Sequence, residues 1–209
     1  MYHNMVFIVD DDEAVCDSLS LLLDSMGLET QVFHSAQAFL AGHDGRPGCL
    51  LLDVRMPGLS GMDLQKRLSD MGKSLPIVFI SGHGDIPMAV EAMKAGAIDF
   101  LQKPFRDQEL LDCVQKALAS LDQTMAEQQA LVQANACFNS LTPREREVLN
   151  YLVDGAANKV IAIDLNISPR TVEIHRARVM EKMQVKSLPE LVKVVLQLRQ
   201  AASKSDTSS

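Results

Sequence analysis

The chain has 209 residues, of which 47% are hydrophobic and 22% are charged, as is typical of a soluble globular protein. Its four cysteines are scattered without a Cys-x-x-Cys pair, which argues against a zinc site and against a disulfide framework. No apolar run reaches membrane-spanning length and the N-terminus lacks a signal-peptide pattern, so we expect a cytoplasmic protein with no membrane partner.

The net charge of −7 is unevenly distributed along the chain. Residues 1–138 carry 9 basic and 19 acidic side chains, whereas residues 139–209 carry 11 basic and 8 acidic ones. An acidic part joined to a mildly basic part indicates two domains with different tasks. The small basic excess is, by itself, a weak indication of nucleic-acid binding.

The first 120 residues alternate short apolar runs with segments of helical periodicity. We predict strands at 5–9, 29–33, 49–52, 77–80 and 98–101, each followed by a helix. Five strands that alternate with five helices predict a doubly wound, five-stranded parallel sheet of the α/β class for residues 1–120.

Asp53 ends the third predicted strand, directly after three leucines, and Pro57 and Gly58 then turn the chain away. A carboxylate at this position lies at the carboxyl end of a central strand, where open α/β sheets place their functional sites. Taken alone, such a residue is more often a strand terminator or a helix cap.

Other polar residues follow neighbouring strands. Asp10 and Asp11 come after the first strand, Ser81 after the fourth and Lys103 after the fifth. Carboxylates that converge at one edge repel each other unless a cation neutralises them, and Mg²⁺ prefers a few carboxylates with waters and a phosphate oxygen. Lys103 and Ser81 are suited to stabilise a phosphoryl group on Asp53, because aspartate can form an acyl phosphate.

Residues 5–120 resemble the receiver domain of a two-component response regulator. The matching motifs are Val-Asp-Asp at 9–11, Asp53 with Met-Pro-Gly at 56–58, Ser-Gly-His-Gly at 81–84 and Lys-Pro-Phe at 103–105. The resemblance implies that Asp53 accepts a phosphoryl group from a sensor histidine kinase. It also implies a Mg²⁺ ion bound by the side chains of Asp10, Asp11 and Asp53 and by the backbone carbonyl of Arg55.

The same resemblance implies a conformational switch. Ser81 corresponds to the switch hydroxyl, Phe100 to the aromatic residue that changes rotamer, and the Lys103–Pro104 peptide bond is expected to be cis. His83 is equally consistent with tuning of acyl-phosphate hydrolysis and with packing of its loop. Asp12 and Glu13 are expected to be charges of the first helical turn rather than metal ligands.

A helical linker is predicted between the two parts, because residues 107–142 contain neither Gly nor Pro. The apolar stripe of this segment thins beyond Leu121, where it no longer serves the first domain's core. We therefore assign residues 121–138 to the linker, which is expected to be helical rather than flexible.

Residues 139–200 predict four short helices with tight turns, the pattern of a helix-turn-helix module. The first helix has Thr142 as N-cap, Pro143 at its first position and Glu145 in a capping box. The third begins after Ser168 and has two faces at 100° per residue. Its core face is predicted to carry Val172, Val179, Met180 and Met183, and its opposite face Arg170, Ile174, Ala177, Arg178 and Glu181.

A charged helix face is usually just a solvated face. An exposed Ile174 is instead expected if this face enters the major groove, where the isoleucine can contact a thymine methyl group. Arg178 is suited to donate hydrogen bonds to guanine, and Glu173 is suited to accept one from cytosine. Arg170 lies on the same surface. Arg176 lies nearer the core face, and its position fits a salt bridge within the domain as well as it fits a DNA contact. Phosphate contacts are predicted for Lys159, Thr171, His175 and Lys182.

Residues 139–200 resemble the LuxR-type DNA-binding domain. The matching segments are Leu-Thr-Pro-Arg-Glu-Arg-Glu-Val-Leu at 141–149, Asn-Lys-Val-Ile-Ala at 158–162, Ile-Ser-Pro-Arg-Thr-Val-Glu-Ile-His at 167–175 and Lys-Met-Gln-Val-Lys at 182–186. The resemblance implies that residues 171–178 belong to the recognition helix and residues 158–165 to the scaffold helix. The Ser-rich tail, residues 201–209, is predicted to be disordered.

Together the resemblances imply a transcriptional response regulator of the FixJ-like type. Its expected partners are a sensor histidine kinase, double-stranded promoter DNA, RNA polymerase and, after phosphorylation, a second copy of the chain. An aspartate phosphatase would need a second acid where Arg55 stands, so we expect no enzymatic activity beyond self-phosphorylation at Asp53 and slow dephosphorylation there. The alternative is a constitutive DNA-binding regulator whose unphosphorylated receiver serves as a dimerisation platform.

Overall fold

The computed structural model describes residues 5–73, 75–82 and 86–206, and the chain divides into two compact units, residues 1–125 and 126–209. The first unit contains a five-stranded parallel sheet in the order β2-β1-β3-β4-β5. This confirms the predicted doubly wound fold. Its strands and helices are β1 (Met5–Val9), α1 (Glu13–Ser25), β2 (Glu29–Phe33), α2 (Ala36–Gly42), β3 (Gly48–Asp53), α3 (Gly61–Asp70), β4 (Ile77–Ser81), α4 (Ile86–Lys94), β5 (Asp99–Gln102) and α5 (Asp107–Asn139).

The three central strands β1, β3 and β4 are buried along their whole length because helices cover both faces of the sheet. Successive side chains point to opposite faces and thereby build two separate apolar layers. One layer packs beneath α2 and α3 and includes Phe7, Phe39, Leu52, Leu64 and Phe79. The other packs beneath α1 and α5 and includes Ile8, Leu23, Leu51, Ile80 and Val114.

The second unit consists of the end of α5 and four further helices, α6 (Pro143–Val153), α7 (Asn158–Asp164), α8 (Pro169–Lys182) and α9 (Leu188–Asp206). Thr142 caps α6 in a reciprocal capping box with Glu145, and Pro143 occupies the first position, as the sequence predicts. A compact core joins these helices, with Val148, Leu149, Ile161, Val172, Val179 and Leu191 at its centre.

The predicted disorder of the tail is wrong for residues 201–206. These residues are helical, because α9 continues from Leu188 to Asp206. The segment from Gln197 to Ala202 contains good helix formers and no Gly or Pro, which allows the helix to propagate past the core. The remaining tail residues, 207–209, lie outside the described part of the chain.

α5 spans the whole segment 121–138 that the sequence assigns to a helical linker. Its first part supplies Leu110, Val114 and Leu118 to the core of the first unit. Over the residues that the structure describes, no helix is both long enough and apolar enough to cross a membrane.

Candidate functional sites

Four residues of the predicted phosphorylation site lie at the carboxyl end of the sheet. Asp10 follows β1 and Asp53 ends the adjacent strand β3, so the parallel pairing of these strands places both carboxylates at one edge. Both are buried, with 3% and 8% of their surface exposed, and Ser81 at the end of β4 is 2% exposed. Lys103 follows β5 and reaches the two carboxylates.

The Lys103 ammonium donates hydrogen bonds to Oδ2 of Asp10 at 2.7 Å and to Oδ1 of Asp53 at 3.1 Å. Its backbone N–H donates to the carbonyl oxygen of Ser81 at 2.8 Å, which ties the lysine to the neighbouring strand. The Lys103–Pro104 peptide bond is cis, as the resemblance implies. One cation therefore bridges two buried carboxylates through charge-assisted hydrogen bonds and offsets one of their two negative charges.

Burial determines the electrostatics of this site. It raises the pKa of Asp53, more than the hydrogen bonds from Lys103 and from the Arg55 N–H lower it. Burial alone would lower the pKa of Lys103, but its bonds to Asp10 and Asp53 outweigh this effect and raise the pKa. Lys103 is therefore a fixed cation beside a carboxylate that is more basic, and hence more nucleophilic, than an exposed one.

The predicted Mg²⁺ ligands match that ion in donor type, because carboxylate oxygens with added waters suit Mg²⁺. Asp11 is exposed beside the buried pair of Asp10 and Asp53, and Oδ2 of Asp53 accepts the N–H of Arg55 at 2.7 Å. Among the described residues, however, no group of three or more His, Cys, Asp or Glu side chains is arranged to hold a metal ion. The Asp10 and Asp53 carboxylates are instead turned towards Lys103.

The two predicted switch residues lie on neighbouring strands. Ser81 ends β4, and Phe100 lies half-buried on β5, with its ring centroid 6.3 Å from that of Phe79. Asp12 is the N-cap of α1 and its side chain accepts the N–H groups of Ala14 and Val15, so it caps the helix, whereas Glu13 is the acidic residue of the first turn. His83 lies outside the described residues.

Gly61 is a site residue to which sequence reasoning assigned no role. It begins α3, and a Cβ atom built on it would lie 2.2 Å from the carbonyl oxygen of Asp53 and 3.0 Å from Cγ of Leu52. Its N–H donates to the carbonyl oxygen of Val54 at 3.0 Å. The start of α3 therefore lies directly against the backbone of Asp53, and only glycine permits this approach.

The second candidate site is the outer face of α8. Val172, Val179 and Met183 are buried in the core, and Met180 packs against it, as the angular analysis predicts. The predicted outer residues are all exposed, namely Arg170, Ile174, Ala177, Arg178 and Glu181. Ile174 exposes 47% of its surface, so its apolar side chain is accessible on this face. Glu173 and, on α7, Lys159 are also exposed.

Two other predicted phosphate contacts, Lys182 and Thr171, have partners inside the unit. The Lys182 ammonium donates to Oε2 of Glu145 at 2.7 Å and to the carbonyl oxygen of Ser140 at 3.2 Å, so it anchors the end of α8 to the start of α6. Oγ1 of Thr171 is 2.8 Å from Oγ of Ser168. The Nδ1 atom of His175 is buried and has no hydrogen-bond partner among the described residues.

Two protein families match the two parts of the chain. Residues 6–115 match the response regulator receiver domain, and residues 139–195 match the bacterial regulatory proteins of the luxR family. The first match covers the sheet and its helices, and the second covers the helices from the end of α5 into α9.

Relatives with both parts are similar over nearly the whole chain. The response regulator protein TmoT of Ectopseudomonas mendocina is 47% identical, with 94% of this chain and 90% of the relative covered. The transcriptional regulatory protein FixJ of Rhizobium meliloti is 48% identical, with 91% and 94% covered. Among solved structures, the response regulator StyR is 45% identical with a TM-score of 0.79, and 93% of this chain and 99% of StyR are covered.

Proposed function

The chain belongs to the response regulators that join a receiver domain to a LuxR-type DNA-binding domain, and we propose that phosphorylation of Asp53 switches its binding to promoter DNA. The observation that carries this assignment is the Lys103 ammonium, which bonds Asp53 and Asp10 at the carboxyl end of β3 and β1. A sensor histidine kinase is the proposed donor, and the cytoplasm is the proposed compartment because the DNA target lies there.

In the proposed transfer, a carboxylate oxygen of Asp53 attacks the phosphorus of a phosphohistidine on the kinase. The P–N bond breaks as the P–O bond of the acyl phosphate forms, and the imidazole leaves with the electron pair. Lys103 stays protonated and stabilises the negative oxygens of the transferred group, while Ser81 is placed to donate a hydrogen bond to them. Asp53 is thus modified once per signal, and slow hydrolysis of the acyl phosphate returns the protein to its unphosphorylated state.

Mg²⁺ is the proposed cofactor, held by Asp10, Asp11, Asp53 and the carbonyl of Arg55. When bound, it would neutralise phosphoryl oxygens that would otherwise meet two buried carboxylates. Two hydrogen bonds orient the Asp10 carboxylate. The N–H of Asp12 donates to Oδ1 at 2.9 Å, and the Lys103 ammonium donates to Oδ2.

The proposed response is dimerisation through α4. Ile86, Val90 and Met93 expose 80%, 45% and 44% of their surface, and their spacing places them on one face of the helix. Phosphorylation would move Ser81 and Phe100 beneath this helix and so change its outer surface. A second copy that covers the apolar face would be stabilised by burial of these side chains.

A dimer presents two recognition helices, which suits inverted half-sites on double-stranded DNA. We propose that Arg170, Glu173, Ile174 and Arg178 read bases, and that Lys159, Thr171 and His175 contact phosphates. Lys182 is the weakest of the predicted contacts because its ammonium is bonded to Glu145. RNA polymerase is the proposed partner of the bound dimer.

The test measures oligomeric mass and DNA affinity with and without acetyl phosphate and Mg²⁺. Wild type should dimerise and bind more tightly with the phosphodonor, and Asp53→Asn should do neither. Asp44→Asn is a matched control, because Asp44 is an exposed carboxylate paired with Arg46 far from the site. Identical behaviour of wild type in all conditions would support the constitutive alternative instead.

A further inference from the structure

Gln65 is a buried polar residue on α3 that the proposed phosphotransfer does not use. Only 5% of its surface is exposed. Its Nε2 atom donates hydrogen bonds to the carbonyl oxygens of Ala92 at 3.3 Å and Ala95 at 3.1 Å, at the C-terminal end of α4. The Ala92 carbonyl also accepts the backbone N–H of Ala97 at 3.0 Å, so the amide is its second donor, whereas the Ala95 carbonyl lies just past the last helical residue, where backbone partners run out.

The orientation of this amide is fixed by its surroundings, since the opposite orientation would place Oε1 against two carbonyl oxygens. In the observed orientation Oε1 is buried and has no hydrogen-bond partner among the described residues. An apolar side chain of the same shape would avoid that unsatisfied atom. Gln65 is therefore a poor choice for stability alone, and its two bonds to α4 indicate a different role.

α4 contributes little buried surface to the core. Among the nine residues that form the helix Ala92 alone is buried, Met88 packs against the core half-buried, and the outer apolar face is exposed. A cavity of about 320 Å³, bordered by Gln65, Ala95 and Gly96, lies at the same end of the helix. The C-terminal end of α4 thus has room to move once the amide releases it.

α3, by contrast, is fixed to the strand that carries the phosphoacceptor. Its first residue, Gly61, lies against the Asp53 carbonyl, and Leu64 and Leu68 on the same helix are buried in the core. The two bonds from Gln65 therefore hold α4 to a helix that packs directly against the backbone of Asp53.

We propose that Gln65 is a positioning residue that clamps the C-terminal end of α4 to α3 in the unphosphorylated protein, and that the clamp opens when the protein switches. This inference rests on the proposed function, in which phosphorylation of Asp53 changes the dimerising face of α4. An interaction made in one state alone shifts the equilibrium by its own free energy. Loss of two hydrogen bonds should therefore favour the switched state about tenfold.

The test compares Gln65→Met with Leu68→Met in the full-length chain. Methionine keeps the length of Gln65 but removes both donors, whereas Leu68, 2% exposed on the same helix, controls for general loosening of the core. Hydrogen exchange is followed at the amides of Ala95, Gly96 and Ala97, which close the end of α4. The dimerisation constant is measured in parallel without a phosphodonor.

Gln65→Met should raise the hydrogen-exchange rates of these three amides and the association constant of the dimer, each by about tenfold. Leu68→Met should leave both quantities near their wild-type values. The increase should persist in the Asp53→Asn background, because removal of the clamp releases α4 without phosphorylation. Equal exchange and equal dimerisation in the two variants would overturn the clamp. Failure of the proposed function would instead appear as wild type that acetyl phosphate does not label, and it would leave the exchange comparison intact.

Discussion

At the scale of single residues, Lys103 should be the most sensitive position of the phosphorylation site. Replacing it with methionine leaves Asp10 and Asp53 buried beside each other without their shared cation. We expect Lys103→Met to slow labelling by acetyl phosphate about 100-fold, since a preorganised cation for the developing charge is lost. The pKa of Asp53 should rise further, and its titration can be followed by NMR of the carboxyl carbon.

Lys116→Met is the matched control for this change. Lys116 also pairs with a carboxylate of the same domain, Asp99 at 3.0 Å, but its side chain is 61% exposed. An exposed pair of this kind contributes little to stability and nothing to the reaction. If both variants are labelled equally fast, Lys103 has no part in the transfer.

Gly61→Ala tests whether the close approach of α3 positions the phosphoacceptor. The new methyl group would begin 2.2 Å from the Asp53 carbonyl oxygen, so helix or strand must move by about 1 Å to restore normal contact. A displacement of that size can slow a reaction about 100-fold. We expect this loss in the rate of acetyl-phosphate labelling of the folded protein.

Gly48→Ala provides the control, because its methyl group would lie 2.6 Å from the Met5 carbonyl oxygen at the opposite end of the same strand. Both variants should be less stable than wild type, so rates are compared well below each melting temperature and, if needed, in an osmolyte that favours burial. An equal fall in the labelling rate of both variants would show that Gly61 serves packing only and does not position Asp53.

The residues predicted from sequence and those missed differ in how far their partners lie along the chain. Asp10, Asp53, Ser81 and Lys103 were found because each lies at or just after the carboxyl end of a strand, and parallel strands end at one edge. The approach of Gly61 to Asp53 and the amide of Gln65 depend on how α3 packs, which periodicity does not report. The pairing of Lys182 with Glu145 was missed for the same reason, since 37 residues separate them.

At the scale of helices and strands, the Glu145–Lys182 pair should make the second unit sensitive to acid. Hydrogen bonds from Lys182 and from the Thr142 N–H lower the pKa of Glu145 from 4.5 to about 2. A carboxyl group with a lowered pKa in the folded state stabilises the protein above pH 4.5, and this stability is lost as the pH falls towards 2. The pair joins the start of α6 to the end of α8, so its loss should loosen α8.

Unfolding of the second unit in urea at pH 6 and pH 3 measures this effect. We expect wild type to lose about 1–2 kcal/mol more than Glu145→Gln over that interval, a figure reduced for the exposed third of Lys182. Glu147→Gln is the control, because Glu147 pairs with Arg144 but its side chain is 51% exposed. Equal acid sensitivity of wild type and Glu145→Gln would show that the pair is dispensable.

At the scale of the whole molecule, the uneven charge predicts opposite salt dependences for its two associations. Residues 1–138 carry ten more acidic than basic side chains, and a phosphoryl group adds further negative charge. Two such parts repel when the proposed dimer forms, and salt screens that repulsion. DNA binding by the basic side chains of residues 139–209 would release counterions, so salt should weaken it.

We accordingly expect the dimerisation constant of the phosphorylated protein to increase between about 50 and about 300 mM salt, while the affinity of the preformed dimer for DNA falls. Sedimentation at several salt concentrations gives the dimerisation constant. Titration of DNA with phosphorylated protein, at protein concentrations high enough to keep it dimeric, gives the affinity for DNA. Dimerisation that weakens with salt would mean that ion pairs, rather than the apolar face of Ile86, Val90 and Met93, hold the copies together. The sign of this one slope therefore distinguishes an apolar α4 interface from a charged one.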